Sequence, residues 1–501
     1  MKMKLMGLFV FLLIAGIVTG VLIKNESAET EPNYKDKKYK EIGVNVTDMG
    51  VLPNDGVDRT ELFQSILDNN RHIIVPKGVY TISSGKYRNG DGKVWWGLKV
   101  PSNTHIHFED GAILRFKDNM PSWSRALAIY KVRNVEITGH FEIDGNSNSV
   151  TKGNEHMANL HIESSKNVYI QSVYSHDSYG DNIFVGGTEA DPSENVRMDY
   201  VKGVRAGRKN YVIHYVNNLY VKRAILDNSK GNAEKGWTGA NSMDLEPDNY
   251  SGATQFYQRF DYVSTYGKGN DFTVGTSSQN AKNWILDIGT LDVHRMASNN
   301  TSPDNVIYSN AITAKIDKLN IFVPKGENAV PIKLLYSAKW DIEKLTIKGG
   351  QKYGISLQYA AKEKPTLVVK DLKMNDVNGY GVRNEGGDVF ISKFTARNVS
   401  DRVLQNYSTS SESEVSIDRL LAYDSGVSEL VKVSSYLTNP VKMNIESLKV
   451  IDNRPAKAAR LIYIETGAAA AGVTIGEIDN PSKIKEFAYA NGLANKHKPA
   501  K

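Results

Sequence analysis

Apolar and polar residues alternate in short runs along most of this chain. Two apolar residues separated by one other residue, usually after Asn, Lys or Asp, recur as a unit, and this alternation is typical of β-strands with one buried face. The pairs are Val135/Ile137, Val168/Ile170, Leu219/Val221, Leu319/Ile321, Leu345/Ile347, Leu367/Val369, Val389/Ile391, Val415/Ile417, Met443/Ile445 and Val473/Ile475. Spacings of 26, 22, 22, 26, 28 and 30 residues separate the later pairs. This near-constant period predicts a β-solenoid in which each repeat forms one coil.

The first half of the repeat region is less regular. Its pairs are separated by 33, 51 and 100 residues, which predicts longer loops or less regular coils. Long insertions on one face of a solenoid often build a binding site. We therefore expect residues 85–310 to carry the function, and the later repeats to act as scaffold.

Three strand-like runs in this half each begin at a turn and join a polar cluster to an apolar strand. They are Gly180–Val185, Gly207–Ile213 and Ala240–Pro247. Equivalent residues on successive coils of a parallel solenoid lie about 4.8 Å apart, so residues distant in sequence form one row. The predicted row contains Asp181-Asn182, Lys209-Asn210, Asn241-Ser242 and Asn270-Asp271.

Within the third run, alternation separates two faces. Met243 and Leu245 are predicted to face inward, and the acidic residues Asp244 and Glu246 outward together with Ser242. Asp181 would lie two coils from Asp244, roughly 9–10 Å away between backbones.

Two carboxyl groups at such a separation suit glycoside hydrolysis. One acts as a general acid, and the other as a base or nucleophile, at about 6.5–9.5 Å in inverting enzymes. We therefore predict Asp181 and Asp244 as the first catalytic pair, with Glu246 as the substitute partner.

The segment 46–115 carries a different signal. It contains NDGVDRTELFQSI at 54–66, a predicted strand at His72–Val75, PKGVY at 76–80 and VPSNT at 100–104. Asp58 or Thr60 is the predicted N-cap of a short helix. The apolar side of that helix is predicted to contain Leu62, Phe63, Ile66 and Leu67.

This order of motifs resembles the N-terminal cap and first coils of the pectate-lyase-like superfamily. That group includes glycoside hydrolase family 28-related proteins and phage tailspike depolymerases. The resemblance implies an all-β fold, a right-handed single-stranded parallel β-helix with short N- and C-terminal capping helices, and an activity directed at carbohydrate. The C-terminal capping helix is predicted around Ile484–Phe487.

The predicted organisation follows from these signals. It consists of a signal peptide or membrane anchor (1–28), a linker (29–44), a parallel β-helix domain (45–480) and a C-terminal cap and tail (481–501). Inside the β-helix domain, 45–115 is the N-terminal cap with the first coils, 116–310 the active-site half and 311–480 the scaffold.

The N-terminus predicts export. Lys2 and Lys4 precede an apolar run, Leu5–Ile23, which reads as a signal sequence and is also long enough to cross a bilayer. A cleaved signal and a retained anchor both remain open. Either places the protein outside the cytoplasm, secreted or at the cell surface, with membrane contact only through this segment.

The amino-acid composition limits which cross-links, cofactors and partners the protein can have. The chain has no cysteine, so disulfides and cysteine-based metal sites are excluded. The net charge of +6 suits an acidic glycan or an anionic wall polymer, and no nucleic-acid partner is predicted. No cofactor is predicted, although calcium held by carboxylate and amide oxygens remains open.

Several residues near the predicted carboxylates are candidates for substrate binding. Arg208 and Lys209 are expected to hold a uronate carboxylate or a phosphate, and aromatic faces stack on sugar rings. The full candidate set is Arg208, Lys209, His176, Asp177, His214, Tyr211, Trp237 and Asp271.

The predicted function is polygalacturonase-like hydrolysis of an acidic polysaccharide. Polygalacturonase-type enzymes carry N-T-D, D-D, G-H-G and R-I-K motifs, whereas this chain has Asp181-Asn182 in place of D-D and lacks the last two. Two alternatives therefore stay open. One is β-elimination at a uronate, with His214, Lys209 or Tyr211 as the base. The other is a non-catalytic, cell-surface or phage-associated glycan-binding solenoid.

Overall fold

Two long sheets dominate the computed structural model, which describes residues 43–84, 87–88, 94–227, 241–246, 251–268, 272–274, 283–297, 304–359, 363–408, 412–435, 441–465 and 472–489. The predicted N-terminal signal or anchor and most of the linker lie outside these residues. Within them, 17 strands form the first sheet and 16 form the second. One α-helix, α1 (Thr60–Asn69), precedes the coils in the described part of the chain.

The first sheet collects the longer strands. They are β1 (Val44–Asn45), β2 (His72–Val75), β3 (Gly78–Ile82), β6 (Thr104–Phe116), β8 (Arg133–Asp144), β10 (Lys166–His176), β12 (Ser193–Val204), β14 (Val216–Asp227), β16 (Phe256–Gly267), β18 (Trp284–Arg295), β20 (Thr313–Phe322), β22 (Lys339–Lys348), β24 (Thr366–Asn375), β26 (Asp388–Arg397), β28 (Ser413–Tyr423), β30 (Val441–Ile451) and β32 (Val473–Asp479).

The second sheet collects the shorter strands. They are β4 (Tyr87–Arg88), β5 (Trp95–Lys99), β7 (Ser124–Tyr130), β9 (Ala158–Glu163), β11 (Asp181–Gly186), β13 (Lys209–Ile213), β15 (Asn241–Leu245), β17 (Phe272–Val274), β19 (Asp304–Asn310), β21 (Ala329–Leu335), β23 (Gln351–Gln358), β25 (Asn378–Glu385), β27 (Leu404–Ser408), β29 (Glu429–Ser435), β31 (Arg460–Ile464) and β33 (Lys485–Tyr489).

From β5 onward the chain alternates between the sheets, so that each coil adds one strand to each of them. Neighbouring coils pair in parallel, for example β10 with β12 and β11 with β13. Among the described strands, only β4 and β5 pair antiparallel. A continuous apolar core lies between the sheets. The predicted solenoid is confirmed.

Long strands of the first sheet bend near their middle. In β10, Val168 and Ile170 face the core, then Gln171 and Ser172 both face outward, and Val173 begins a second inward set. Two successive outward residues shift the phase of the alternation, so each long strand contributes two apolar pairs to the core.

This bend explains an error in the predicted repeat. By strand register, the partner of Leu286 in β20 is Ala314, and Trp340 follows it in β22, whereas Leu319 and Leu345 lie beyond the bend. The register also supplies coils at Val196, Gln258 and Leu286 that the pattern missed. The gaps of 51 and 100 residues therefore contain further coils, and the strands of the first half pair in the same regular way as those of the second.

An exposed row of asparagines explains why Asn often precedes the apolar pairs. Asn103, Asn134, Asn167, Asn195 and Asn218 all have φ between 54° and 58°. Asparagine tolerates this left-handed conformation better than most residues. Each side-chain amide also donates to the asparagine of the preceding coil, at 2.6–3.1 Å. The row fixes the turn that enters the first sheet.

A second asparagine row is buried. Asn159 donates to the Oδ1 of Asn182 at 3.3 Å, and Asn182 donates to the Oδ1 of Asn210 at 2.7 Å. Asn182 also donates to the carbonyl oxygen of Val204 at 3.0 Å. Buried polar groups must find partners, and these amides satisfy the turn between the two sheets.

We expect Asn182→Ala to lower the free energy of unfolding by about 2–4 kcal/mol, because it leaves several buried groups without partners. The matched control is Asn195→Gly, which removes a member of the exposed row but keeps access to the left-handed conformation. It should cost less than about 1 kcal/mol. Urea unfolding followed by circular dichroism measures both, and equal losses would contradict a special role for the buried row.

The ends of the solenoid meet the predictions in part. Helix α1 is present, and Phe63, Ile66 and Leu67 are buried as expected, but Leu62 is exposed. The C-terminal helix predicted around Ile484–Phe487 is wrong. Strand β33 pairs in parallel with β31 there, because continued pairing satisfies the backbone groups of the last coil. In the described part of the chain, no helix has the length and apolarity to cross a membrane.

Candidate functional site

The outward face of the second sheet carries a cluster of charged residues between β9 and β15. Met243 and Leu245 are fully buried in the core, so the intervening Asp244 faces the other side of β15, as predicted, and Glu246 follows on that side. The cluster consists of Glu155, Asp181, Arg208, Lys209, His214, Asp244 and Glu246, and is called the carboxylate cluster below.

Two ion pairs link three adjacent coils within this cluster. Arg208 donates from Nε and Nη2 to the two carboxylate oxygens of Asp181, at 2.8 Å each. The Nζ of Lys209 lies 2.5 Å from Oδ2 of Asp244. The two cations predicted to bind the substrate's anionic group are therefore both paired with carboxylates of the chain itself.

The remaining guanidinium nitrogen of Arg208 lies between two glutamates. Its Nη1 is 3.8 Å from Oε2 of Glu155 and 4.0 Å from Oε1 of Glu246. These two oxygens are thus at most 7.8 Å apart, the sum of the two distances. That bound admits both the retaining spacing, about 5–5.5 Å, and much of the inverting range, about 6.5–9.5 Å.

Asp244 and Glu246 have pKa values displaced in opposite directions. Burial raises the pKa of Asp244 to about 8 against the charge of Lys209, and the neighbouring Glu246 adds to the rise. Burial also pushes the pKa of Glu246 up, but the hydrogen bond from His214 and the charge of Arg208 outweigh it and lower the pKa to about 2. The surroundings thus favour a proton on Asp244 and a charge on Glu246.

A proton on Asp244 would also supply a hydrogen bond for its buried carboxyl group. As an ionised acceptor, the Oδ1 of Asp244 has no hydrogen-bond partner among the described residues. As a protonated carboxyl group, Asp244 donates to Glu246. Asp244 is 1% exposed, whereas 15% of the Glu246 side chain is exposed, so Glu246 is the member that reaches solvent.

Aromatic rings lie on the same face, one coil after another. His161 stacks on Phe184 with ring centroids 4.6 Å apart, and the ring of His214 lies 5.0 Å from that of Phe184 at a tilt of 55°. Gly186 allows this approach, since a Cβ there would lie 2.5 Å from the Cβ of His214. His161 contacts Glu163 at 2.6 Å, which parallels the contact of His214 with Glu246.

Two of the predicted substrate-binding residues belong to a different group. His176 contacts Oε1 of Glu142 at 2.7 Å and Oδ2 of Asp177 at 2.6 Å, and Arg205 also pairs with Asp177. Despite burial, these carboxylates raise the pKa of His176 to about 9. Ligand atoms of Asp144, His176 and Asp177 lie within 4.8 Å of one another. Both ring nitrogens of His176 are engaged by carboxylates of the chain itself.

Other predicted site residues fall elsewhere. Tyr211, which was predicted to bind substrate or to act as the base, is a core residue instead. Its side chain is fully buried and its hydroxyl lies 3.3 Å from the sulfur of Met198, because it occupies an inward position of β13. Trp237 and Asp271 lie outside the described residues.

Sequence reasoning missed Glu155 and Phe184. Glu155 lies between the 3-10 turn Ser147–Ser149 and β9, and reaches Arg208 from another coil, so no local pattern marks it. Phe184 sits among apolar strand residues and reads as core. A count of the alternation from Ile183, which is inward, places Phe184 outward.

Known proteins share this architecture. No protein-family model matches the chain. The tailspike protein of E. coli bacteriophage HK620, solved as a double mutant, aligns with a TM-score of 0.52 at 11% identity over 86% of this chain and 80% of that one. The pre-mature gene product 12 of bacteriophage phi29 aligns with a TM-score of 0.50 at 13% identity, over 98% and 77%. At these identities the alignments show the fold, a right-handed parallel β-helix.

Similarity in amino-acid sequence covers a smaller part of the chain than the structural alignments do. The pre-neck appendage protein of Bacillus phage B103 is 27% identical over 164 residues, which is 30% of this chain. The match spans 18% of that phage protein's length.

Proposed function

We propose that this β-helix cleaves an extracellular polysaccharide by hydrolysis at the carboxylate cluster. The observation that carries the proposal is the pair formed by Asp244 and Glu246, which lie on one face of the second sheet and whose surroundings displace their pKa values in opposite directions. Environments that push the pKa values of two carboxyl groups apart are the arrangement that acid–base catalysis requires. A second carboxylate, Glu155, faces Glu246 across Arg208.

In this proposal the pair acts as the general acid. Asp244 first transfers its proton to Glu246, which is partly exposed, and Glu246 then donates this proton to the glycosidic oxygen. The C–O bond breaks, water attacks the anomeric carbon, and Glu155 accepts the proton that the water loses. Once Glu155 releases this proton and the pair regains one from solvent, the net change is the addition of one water molecule.

Lys209 and Arg208 each have a role in this proposed reaction. Proton transfer leaves a negative charge on Asp244, and the Lys209 ammonium lies 2.5 Å away to stabilise it. Asp181 is a positioning residue in this scheme, because its two hydrogen bonds fix the guanidinium of Arg208. Phe184 is half-buried and adds an apolar contact for a sugar ring beside His161 and His214.

β-Elimination is the second candidate, and the clustering of cations favours it. Removal of a C5 proton from a uronate needs a base and a positive charge near the carboxylate. His214, next to Arg208 and Glu246, supplies the base in that scheme.

The similar phage proteins support the proposed location of the protein. One is a pre-neck appendage protein and another is a tailspike protein, which are parts of phage particles that lie outside the cell. We therefore propose that this chain works in an extracellular or phage-associated position on a surface glycan.

A screen against anionic and neutral glycans tests the function. New reducing ends without ultraviolet absorbance of an unsaturated product are the expected result and indicate hydrolysis. Unsaturated products would instead establish β-elimination. Retained binding without any product would overturn both and favour a glycan-binding solenoid.

On a cleaved glycan, Glu155→Gln should lower kcat by at least about 10²-fold, because it removes the base while keeping side-chain size. Glu189→Gln is a suitable control, since Glu189 is an exposed carboxylate bonded to Ser251 in a loop. It should leave kcat within about twofold. An unchanged rate in Glu155→Gln would remove Glu155 from the mechanism.

A further inference from the structure

Arg125 is a buried arginine whose charge the carboxylate cluster does not use. The residue lies in β7 and is 7% exposed. Among the described residues, neither its Nε nor its Nη1 has a hydrogen-bond partner. Burial lowers the pKa of Arg125 to about 10, which still leaves the guanidinium charged at neutral pH.

A buried guanidinium group without a hydrogen-bonded carboxylate lowers the stability of the folded state. Buried guanidinium groups are ordinarily paired with carboxylates, since an unpaired charge loses its hydration without compensation. Arg295 shows the ordinary case in this chain, because it is 2% exposed and pairs with Asp304 and Glu327 at 3.1 Å each. A buried polar group left unsatisfied in a native fold calls for a functional explanation.

Among the described residues, no carboxylate lies within ion-pair distance of Arg125, and the nearby charges act on it only from further away. Asp181 and Glu163 both raise its pKa through their charges, but Asp181 is engaged at both oxygens by Arg208. The carboxylate of Glu163 is hydrogen-bonded to His161 at 2.6 Å, and Glu163 contributes its charge to Arg125 without a direct contact.

A small residue lies next to Arg125 in the row across the sheet. In the row across β7, β9 and β11, the residue between Arg125 and Asp181 is Ala158, whose side chain is a single methyl group. An anion that enters between these coils would meet the free Nε–H and Nη1–H of Arg125, donors that suit a carboxylate or a phosphate.

We propose that Arg125 forms an anion subsite that receives the carboxylate or phosphate group of an acidic glycan bound at the carboxylate cluster. The inference rests on the proposed function for the identity of the ligand as a glycan. It assigns anion recognition to the arginine with free donors, whereas Arg208 and Lys209 are already paired.

Thermal unfolding of the wild type, Arg125→Met and Arg295→Met tests the charge itself. Methionine keeps much of the volume of arginine and removes its charge. Arg125→Met should unfold at the wild-type temperature or higher, because it removes an unpaired buried charge. Arg295→Met should unfold several degrees lower, since it leaves Glu327 buried without its partner.

The same melts with small anions test the subsite. Sodium glucuronate and sodium phosphate are each compared with glucose in sodium chloride at equal ionic strength. At least one anion should raise the unfolding temperature of the wild type by roughly 2 °C or more and leave Arg125→Met unchanged. The anion that acts identifies the class of group. No shift with either anion, or a loss in Arg125→Met as large as in Arg295→Met, would overturn the inference.

These outcomes separate the two proposals. Stabilisation of the wild type by an anion without any glycan cleavage would keep the subsite and reject the hydrolase. Cleavage of an acidic glycan by Arg125→Met with the wild-type kcat and KM would keep the hydrolase and reject the subsite.

Discussion

Replacing Glu246 by glutamine should lower kcat on a cleaved glycan by about 10²- to 10⁴-fold, the range for a lost general acid or base. Glutamine keeps the size of the side chain and accepts the hydrogen bond from His214, but it cannot relay a proton from Asp244. KM and the unfolding temperature should change little, because the loss concerns an interaction made in the transition state. Steady-state kinetics and thermal melts of the purified variant measure both.

The chain provides a matched control for this variant. Glu163 lies on the same face and also pairs with a histidine, His161, but it lies three coils before Glu246, on β9. Glu163→Gln should lower kcat by less than about tenfold, because its charge lies outside the reacting pair. Equal losses in the two variants would show that a general change in surface charge, rather than proton transfer, explains the effect.

Asp244→Asn should lower kcat by at least about 10²-fold and change the pH profile. In the wild type, activity should fall as the pH rises above about 8, because Asp244 then loses the proton that the pair transfers. The asparagine variant has no such proton, so its residual activity should lack this alkaline decline. The kcat/KM profile of both proteins between pH 5 and about 10 gives the comparison.

Stability supplies an independent readout for Asp244. Its pKa is raised in the folded state above the value of 3.8 that an unfolded chain gives it, so the folded state binds this proton more tightly. The wild type should therefore lose stability relative to Asp244→Asn as the pH rises from about 4 to about 8. A constant difference across this range would contradict a raised pKa of Asp244.

The sequence predicted the fold well because alternation is a local property. Strands such as β2 coincide with their predicted bounds, and inward residues such as Met243 are buried as expected. The repeat was misaligned at Leu319 and Leu345 because each long strand bends and carries two apolar pairs. Only pairing between coils distinguishes these two pairs, and pairing is not visible in one strand's pattern.

The site was predictable only where alternation determines it. Asp244 was placed outward correctly from its two apolar neighbours, and Arg208 was placed on the coil between Asp181 and Asp244 from the spacing of the runs. Glu155 and Arg125 were missed, since their roles depend on contacts between coils and on partners that a neighbouring coil lacks. The opposed pKa values of Asp244 and Glu246 likewise arise from burial and charge in three dimensions.

A crystal structure of Glu246→Gln with an oligosaccharide of a cleaved glycan tests the central claim most directly. The variant should bind the intact chain across the second sheet, with the glycosidic oxygen within hydrogen-bond distance of Gln at position 246 and Glu155 on the side of the attacking water. A glycan bound elsewhere on the solenoid, with no sugar contact to the carboxylate cluster, would contradict the account.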